Sequence, residues 1–379
     1  MLNKEDTILV TGASGYVALH CVQQLLQAGY KVRGTVRSLK NEQKVAPIQK
    51  LNRSEELLEL VEADLMNEQD WPGVILGCSH ILHVASPWPI VADESTIKTA
   101  VTGTLNVLKA AASDKNIKKV VLTSSCAAVN DGHKNDERVF DETCWTDITS
   151  KKVDNYAKSK TIAERKAWGF FESLDPSSRF ELTVLNPTFI TGPVLSSVEH
   201  GSATILARMM DFRTFLAAPR ACLGVVDVRD VARAHILALK EPKTNGRRIL
   251  VTHTRPTWFF EMRNWLMEEF KDQGYVFSPL TVPNWIVRAY AKTKLDKQST
   301  AIVHRLGPEL HFSNDKSVKL LNMTYIDPKK SVIDMMVSMI DKKMVRSTPF
   351  KKAVPQRSHK LQDSKYVAAN INSTVQNVQ

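Results

Sequence analysis

The strongest constraint on the fold lies in the first thirty residues, where the apolar run TILVT is followed by the turn GASG and then by the helical stretch YVALHCVQQLLQ. A glycine turn between a strand and a helix lets backbone approach a ligand closely and directs the free N–H groups of the helix at an anion. Glycine alone is weak evidence, because loops use it freely. Here the turn begins a long series of strands and helices, so it predicts a nucleotide pyrophosphate site at Gly12, Ser14, Gly15, Tyr16 and Val17.

Apolar runs and helical stretches alternate over residues 7–187. The apolar runs after TILVT are KVRGTV, LLELVEAD, HILHVAS, KKVVLTSS and FELTVLNP. Continuous apolar strands separated by helices of ten or more residues indicate a parallel sheet that is covered on both faces. The sequence therefore predicts an α/β fold, a Rossmann-type doubly wound parallel sheet with a smaller, mixed C-terminal substrate lobe.

The predicted domain boundaries follow from where this alternation weakens. Residues 1–187 form the nucleotide-binding Rossmann domain, and 223–253, with GVVDVRDVARAHILAL and RRILVTH, return to the sheet. Residues 188–222 and 254–341 form the substrate-binding lobe. Residues 342–379 hold eight Lys or Arg against one acid, Asp363, and predict a basic, disordered tail.

Composition limits the possible functions. The formal net charge is +11, but the tail carries +7 of it, so the body has no basic surface of the kind that binds nucleic acid. The sequence has no run of eighteen apolar residues that would predict a membrane span. No apolar stretch follows a basic leader, so a cytoplasmic location is expected. The five cysteines are scattered without a C-x-x-C pair, which argues against disulfides and a zinc site. No metal is predicted.

The end of the second strand distinguishes between the two nicotinamide dinucleotides. NAD sites place a carboxylate there for the adenine ribose, whereas KVRGTVRS offers Arg33 and Arg37 and no acid. Arg37 is therefore predicted to bind the 2′-phosphate of NADPH, while Arg33, in mid-strand, is better explained as a surface arginine. Asp64, after the third strand, either accepts a hydrogen bond from the adenine amine or caps the next helix.

The spacing Tyr-x-x-x-Lys occurs three times, in YAKSK from Tyr156, YAKTK from Tyr290 and YIDPK from Tyr325. On a helix this spacing places both side chains on one face, one turn apart. The first pair follows Ser125, which comes at the carboxyl end of a predicted strand, where ligands of such sheets bind. The second pair falls in the outer lobe, and the third has a proline inside its frame. Only Tyr156 is expected to share a cleft with Ser125 and the glycine turn.

At these residues the sequence resembles the extended short-chain dehydrogenase/reductases, and within them the dihydroflavonol reductase and cinnamoyl-CoA reductase group. The resemblance covers about residues 7–340 and rests on TGASGYVA, GTVR, ADL, HVASP, TGTLNVLKA, VLTSSCAAVN, DETCW, YAKSKTIAE, LNPTFITGP and VDVRDVARAHILAL, in family order. It implies NADPH as cofactor and Ser125, Tyr156 and Lys160 as the catalytic triad.

The resemblance also implies a role for further residues. Arg37 and Lys44 would bind the 2′-phosphate, and Asp64 and Leu65 would lie near adenine. The residues implied along the rest of the cofactor are Val84, Ala85, Ser86, Pro187, Ile190 and Ser202. Asn130 matches a position that contacts substrate in the dihydroflavonol reductases, although DGHKNDERVF after it departs from their pattern.

The chemistry of the triad follows from its residue types. Reducing a carbonyl requires a hydride at carbon and a proton at oxygen, so a proton donor must stand beside the substrate. A free tyrosine titrates near ~10, and a neighbouring ammonium and the oxidised nicotinamide both favour its phenolate form. Lys160 is therefore expected to activate Tyr156, with Ser125 hydrogen-bonding the same substrate oxygen.

These observations predict an NADPH-dependent oxidoreductase, monomeric or homodimeric, that reduces a ketone or aldehyde on a moderately large apolar small molecule. A 3β-hydroxysteroid-type dehydrogenase working in the oxidative direction stays open as an alternative. Arg37 argues against an NAD-retaining epimerase. A non-catalytic NADP-sensing module is the remaining alternative, although such a module has no need of Ser125, Tyr156 and Lys160 together.

Overall fold

The computed structural model describes residues 2–87, 92–133, 138–177, 179–198, 200–293, 303 and 306–346. Nearly all of the predicted basic tail, from residue 347 onward, lies outside the described residues, as does Lys294 of the second Tyr-x-x-x-Lys pair.

A seven-stranded, wholly parallel sheet forms the centre of the fold. From one edge to the other its strands are Arg247–Val251, Glu181–Pro187, Lys119–Thr123, His80–His83, Thr7–Val10, Lys31–Val36 and Leu58–Glu62. The chain winds outward from Thr7–Val10 in one direction and then, from His80–His83, in the other. The predicted Rossmann-type doubly wound sheet is confirmed, and a ligand crevice is expected where the winding reverses.

Helices cover both faces of the sheet, and most strand residues are buried, as is typical of a parallel sheet. Helices Tyr16–Gln27 and Val228–Lys240 pack on one face, and Asp70–Ile75, Glu94–Ser113 and Asn155–Ser173 pack on the other. Glu42–Gln49 and Ser54–Leu57 connect the second and third strands.

The outer lobe is mixed in structure. Its helices are Gly201–Met209, Phe259–Phe270, Asn284–Lys292, Asp315–Leu321 and Pro328–Asp341. Two-residue and three-residue strands pair Phe189–Thr191 with Val225–Asp227, Cys222–Leu223 with Thr257–Trp258, Ala218–Pro219 with Thr281–Val282, and Val139–Phe140 with His311–Phe312. The methionines Met335, Met336 and Met339 are fully buried in its apolar core. The domain boundaries given above stay a prediction.

None of the helices described by the structure is long and apolar enough to cross a bilayer.

The glycine turn packs directly against the second strand. Ala13 N–H donates to the Thr35 carbonyl oxygen at 2.8 Å, and Gly12 N–H donates to Thr35 Oγ1 at 2.9 Å. This close approach requires a glycine at position 34, where an added Cβ would lie 2.8 Å from Ala13 Cβ and 3.0 Å from Leu60 Cδ2. Gly34 therefore fixes how closely the turn can lie against the sheet.

We expect Gly34→Ala to lower the free energy of unfolding by about 1–3 kcal/mol, because the new methyl group overpacks a filled space. Gly169→Ala is the matched control: Gly169 lies in the helix Asn155–Ser173 with nothing within 4 Å of an added Cβ. Removing a helical glycine there should raise the free energy by about 0.5–1 kcal/mol. Urea unfolding of both variants measures the two changes. A Gly34→Ala protein as stable as the unmodified one would contradict the packing argument.

Candidate active site

A large cleft of about 2330 Å³ opens along the carboxyl edge of the sheet, between the sheet and the outer lobe. The residues predicted to bind cofactor or substrate or to act in catalysis all line this cleft: Gly12, Ser14, Gly15, Tyr16, Val17, Arg37, Lys44, Asp64, Leu65, Val84, Ala85, Ser86, Ser125, Asn130, Tyr156, Lys160, Pro187, Ile190 and Ser202. Their individual roles stay predictions.

The glycine turn is locked to the segment after the fourth strand. The N–H groups of Val84 and Ala85 both donate to Thr11 Oγ1, at 3.1 and 3.0 Å. Gly12 has a φ of +65°, and a Cβ there would lie 2.9 Å from Ala85 Cβ, so only glycine fits without strain. The turn therefore holds its backbone close to the far wall of the crevice.

The start of the helix after the turn has the features of an anion-binding site. Its N-cap is Gly15, which has no side chain to accept from the first N–H groups of the helix Tyr16–Gln27. Those groups and the positive end of the helix dipole therefore face the cleft. A phosphate group fits the charge and hydrogen-bonding requirements of this helix end.

The two arginines of the second strand have different surroundings. Arg33 donates from Nε to Glu59 at 2.7 Å and from Nη1 to the carbonyl oxygens of Val74 and Leu76, so its function is structural. Arg37 is exposed at the cleft and, within the part of the chain that is described, makes no side-chain hydrogen bond or ion pair. Arg37 is therefore available to an anionic ligand.

The structure excludes one of the two interpretations of Asp64. The next helix begins at Asp70 and is preceded by Gln69 as its N-cap, so the helix-cap interpretation is wrong. Asp64 Oδ1 instead accepts from the Met66 N–H at 2.8 Å, in a tight local turn at the cleft wall. Contact with adenine stays a prediction.

Tyr156 and Lys160 lie one turn apart at the start of the helix Asn155–Ser173. Asp154 caps this helix by accepting from the Ala157 N–H at 2.8 Å, so the first turn is well defined. Lys160 is buried, and its Nζ lies 5.9 Å from the centre of the Tyr156 ring. Burial lowers the pKa of Lys160 to about 8, and the nearby Glu164 carboxylate opposes that shift.

Ser125 follows the end of the strand Lys119–Thr123, as predicted. Its Oγ accepts from the Ala127 N–H at 3.1 Å and caps the short 3-10 turn Cys126–Ala128. Because the oxygen accepts in this contact, the hydroxyl proton can be donated to an oxygen in the cleft. Strand end and helix start thus bring Ser125, Tyr156 and Lys160 to one wall of the cleft.

The expectation that only Tyr156 shares this cleft is wrong, since Tyr290 lines it as well. The strand Thr281–Val282 pairs with Ala218–Pro219 and brings the following helix, Asn284–Lys292, to the cleft mouth. The Tyr290 side chain is about half exposed there. A pairing between two-residue strands has no recognisable sequence pattern, which is why the proximity was missed.

Tyr325 has a structural environment. Its hydroxyl bonds to Ser317 Oγ at 2.7 Å, and burial raises its pKa. The helix begins only at Pro328, so Tyr325 and Lys329 do not share a helical face, as the proline predicted. Lys329 instead pairs with Glu268 on the exposed surface at 2.9 Å.

Two groups beside the site were not identified from the sequence. His83 Nδ1 lies 2.9 Å from Thr11 Oγ1, and burial followed by the charge of Lys160 lowers the pKa of His83 to about 3. Glu164 lies one turn after Lys160, buried, and ion-paired with Arg248. The i, i+4 spacing of Lys160 and Glu164 was a usable signal, but nothing local predicted Arg248 as the partner.

A model of the NAD dependent epimerase/dehydratase family matches residues 8–251. Among curated proteins, cinnamoyl-CoA reductase CAD2 of Medicago truncatula is 39% identical over 257 residues, which cover 66% of this chain and 77% of that protein. Tetraketide alpha-pyrone reductase 1 of Arabidopsis thaliana is 37% identical over 248 residues, covering 64% of this chain and 75% of that protein.

Among solved structures, the yeast methylglyoxal/isovaleraldehyde reductase Gre2, complexed with NADPH, has a TM-score of 0.72 and 26% identity, covering 89% of this chain and 99% of that one. Gre2 of Candida albicans in complex with NADPH has a TM-score of 0.70 and 28% identity, with the same coverage. Vestitone reductase from alfalfa, at 24% identity and a TM-score of 0.69, has the same fold and covers 89% of this chain and 99% of that one.

The buried histidines around the cleft make stability depend on pH. His235 binds the Val231 carbonyl oxygen through Nδ1 at 2.7 Å and Thr123 Oγ1 through Nε2 at 2.6 Å, and burial lowers its pKa to about 4. An unfolded histidine takes its proton near pH ~6.5, whereas folded His235 stays neutral until far lower pH. Its contribution to stability is therefore present above pH ~6.5 and lost as the pH falls.

We expect His235 alone to remove roughly 1 kcal/mol of unfolding free energy between pH ~7 and ~5.5. His235→Gln keeps groups that can donate to Val231 and accept from Thr123 but does not titrate, so its stability should fall less over the same interval. Urea unfolding at the two pH values measures the difference. Equal losses in both proteins would show that folding does not lower the pKa of His235.

Proposed function

The chain belongs to the NAD dependent epimerase/dehydratase family, in its dihydroflavonol reductase and cinnamoyl-CoA reductase-like group, and we propose that it reduces a ketone or aldehyde with Tyr156 as proton donor. It is an NADP-dependent oxidoreductase. The proposed substrate is a moderately large apolar molecule. A cytoplasmic location and a monomeric or homodimeric state stay predictions.

One observation carries the proposal: the glycine turn and the Ser125, Tyr156 and Lys160 side chains line the same cleft. A module that only senses NADP needs the glycine turn but not a buried lysine beside a tyrosine. Keeping the ammonium of Lys160 in a buried position costs desolvation energy, which is typical of functional sites.

The described residues fit NADPH. The uncapped start of the helix Tyr16–Gln27 would hold the pyrophosphate, and Gly12 lets the turn backbone lie against Ala85, where an added Cβ would come within 2.9 Å of Ala85 Cβ. Arg37 and Lys44 would hold the 2′-phosphate at the open end of the cleft. The segment Val84–Ser86 would line the cofactor cleft, and Pro187, Ile190 and Ser202 would complete it near the nicotinamide and its ribose.

When bound, NADPH supplies the hydride that adds to the carbonyl carbon of the substrate. Tyr156 donates its phenolic proton to the carbonyl oxygen, and the resulting phenolate is stabilised by the ammonium of Lys160. Ser125 donates a hydrogen bond to the same oxygen as negative charge develops on it. The three side chains therefore stabilise the transition state more than the ground state, which is the requirement for catalysis.

The outer part of the cleft supports an apolar substrate. Phe189, Phe215, Phe259, Val287 and Leu306 line it, all from the outer lobe. Apolar walls with a few polar groups are typical of sites for small organic molecules. A panel of aldehydes, ketones and steroid alcohols, followed by NADPH absorbance at 340 nm, would identify the substrate and separate reduction from the alternative oxidative activity.

We expect Tyr156→Phe to abolish turnover while NADPH still binds, because only the hydroxyl group that carries the transferable proton is removed. Tyr290→Phe is the matched control, since it deletes the same atom from another tyrosine of the cleft. Tyr290 lies at the mouth, so this variant should keep nearly all turnover. Absorbance at 340 nm measures turnover, and nicotinamide fluorescence measures binding. Equal losses in the two variants would refute the assignment of Tyr156 as proton donor.

We also expect a preference for NADPH over NADH that depends on Arg37. A guanidinium makes charge-assisted hydrogen bonds to phosphate worth on the order of 1.5–3 kcal/mol, whereas NADH offers only hydroxyl groups. Arg37→Ala should therefore weaken NADPH binding roughly tenfold to a hundredfold and leave NADH almost unaffected. Arg37→Asp should shift the preference towards NADH. Lys44→Ala should cost less, as a point charge near solvent.

Arg33→Ala is the control for that series, because it removes an arginine of the same strand that binds Glu59 and two carbonyl oxygens instead of the cleft. It should lower stability without changing the ratio of the two dissociation constants. Both constants are measured by nicotinamide fluorescence at fixed ionic strength. If Arg37→Ala weakens NADH and NADPH equally, then Arg37 does not bind the 2′-phosphate.

A further inference from the structure

A buried carboxylate lies directly behind the proposed catalytic residues. Glu164 is 1% exposed and lies one turn after Lys160 on the same helix. Its Oε2 accepts from Ser124 Oγ at 2.5 Å and from Asn186 Nδ2 at 2.8 Å, and its Oε1 accepts from Arg248 Nε at 2.5 Å. One side chain thus connects the helix to three different sheet strands or strand ends.

Arg248 extends this connection to the loop after Ser125. Its guanidinium donates from Nη1 to the carbonyl oxygens of Glu142 and Cys144, at 3.0 and 2.8 Å. The Trp145 ring lies against it, with 3.5 Å between the ring centre and Cζ. Arg248 therefore holds two separate segments of the chain at once.

Asn186 completes the contact with Ser125. Its Nδ2 group donates to the Ser125 carbonyl oxygen at 3.1 Å as well as to Glu164. Ser124 and Asn186, both buried, stand at the ends of neighbouring parallel strands. The position of Ser125 relative to the helix of Tyr156 and Lys160 is thus set by hydrogen bonds that converge on one carboxylate.

Stability does not account for such an arrangement. A buried ion pair costs desolvation energy that its attraction only partly recovers, and apolar residues of similar volume often stabilise a core equally well. A hydrogen-bonded carboxylate and guanidinium fix the relative positions of the segments that they join, whereas apolar side chains do not.

We propose that Glu164 and Arg248 are positioning residues for the reaction, which hold the helix of Tyr156 and Lys160 at a fixed distance from Ser125. This inference rests on the proposed function, because it assumes that those three side chains act on the substrate. Neither Glu164 nor Arg248 lines the cleft, so both act through other residues.

Glu164 also affects the charge of Lys160. The groups of the described chain that face Lys160 are Tyr156 and Glu164 on its own helix and His83 from the strand His80–His83. His83 is neutral near pH ~7, because burial lowers its pKa to about 3. Glu164 is therefore the group that raises the pKa of Lys160 against the effect of burial, which leaves it at about 8.

The direction of the expected pH effect follows. Lys160 acts as an ammonium, so activity is lost as the pH rises through its pKa. Replacing Glu164 by a neutral residue removes the group that raises this pKa. The alkaline limb of the kcat profile should then move to lower pH.

The test compares kcat, KM and the NADPH dissociation constant of Glu164→Gln and Glu164→Asp over pH ~6–10. For Glu164→Gln we expect kcat to fall roughly tenfold to a hundredfold, as for a small misplacement of reacting groups, with KM and NADPH binding nearly unchanged. Its alkaline limb should move to lower pH. Glu164→Asp keeps the negative charge but shortens the side chain, so kcat should fall while the alkaline limb of the kcat profile stays closer to its wild-type pH.

The double variant Glu164→Leu with Arg248→Met guards against misfolding, since no buried charge is left unpaired. We expect nearly normal urea unfolding with the same low kcat. Lys119→Met is the control: Lys119 is 3% exposed at the opposite end of the strand that precedes Ser125, and it binds the Glu241 carbonyl oxygen at 2.8 Å. This variant should lose stability and keep both kcat and the alkaline limb.

Two results would overturn the inference. The first is a wild-type kcat and alkaline limb in Glu164→Gln or in the folded double variant. The second is an equal loss of kcat and an equal shift in Lys119→Met, which would make the effect one of general stability. Failure of the proposed function is separately visible, because it appears as full activity in Tyr156→Phe whatever the Glu164 variants do.

Discussion

The parallel direction of the seven strands is the constraint on which the site depends. Because all strands point the same way, every carboxyl end lies at one edge of the sheet, and the residues that follow the strands meet there. Gly12, Arg37, Ala85 and Ser125 are far apart in sequence but are each close to a strand end. A chain with one antiparallel strand in this region would place that strand's contribution at the wrong edge.

The same constraint explains why so much was predictable from the sequence. Strands such as KVVLT and HILH have consecutive apolar residues at their centres because both of their faces are buried, and such runs are recognisable and indicate a parallel sheet. Once the strands are assigned, residues immediately after them are candidates for the cleft. The glycine turn, Arg37 and Ser125 were found in this way, and the helix spacing of Tyr156 and Lys160 added the rest.

The features that the sequence did not predict depend on contacts between segments far apart in the chain. Such contacts leave no local pattern in the sequence. Tyr290 reaches the cleft through a pairing of two-residue strands, too short for any periodicity to indicate. Arg248 meets Glu164 only because the strand Arg247–Val251 pairs with Glu181–Pro187 in a particular register. Asp64 failed as a helix cap because the helix begins several residues later than the turn chemistry suggested. In each case the sequence contains the residue, but no local pattern shows which distant residue or element lies next to it.

The helix that carries Lys160 also carries the Glu164 carboxylate, whose negative charge raises the pKa of Lys160. Burial alone favours a neutral lysine, and a neutral amine stabilises a phenolate far less than an ammonium does. Glu164 sits one turn further along the helix, so the separation of the two charged groups is fixed by helix geometry rather than by loop positions. Arg248, on the edge strand of the sheet, pairs with this carboxylate through its Nε at 2.5 Å. The charge beside Tyr156 therefore depends on contacts that run from Arg248, on the edge strand, through Glu164 to Lys160. Of these three residues, Lys160 is the one that lines the cleft.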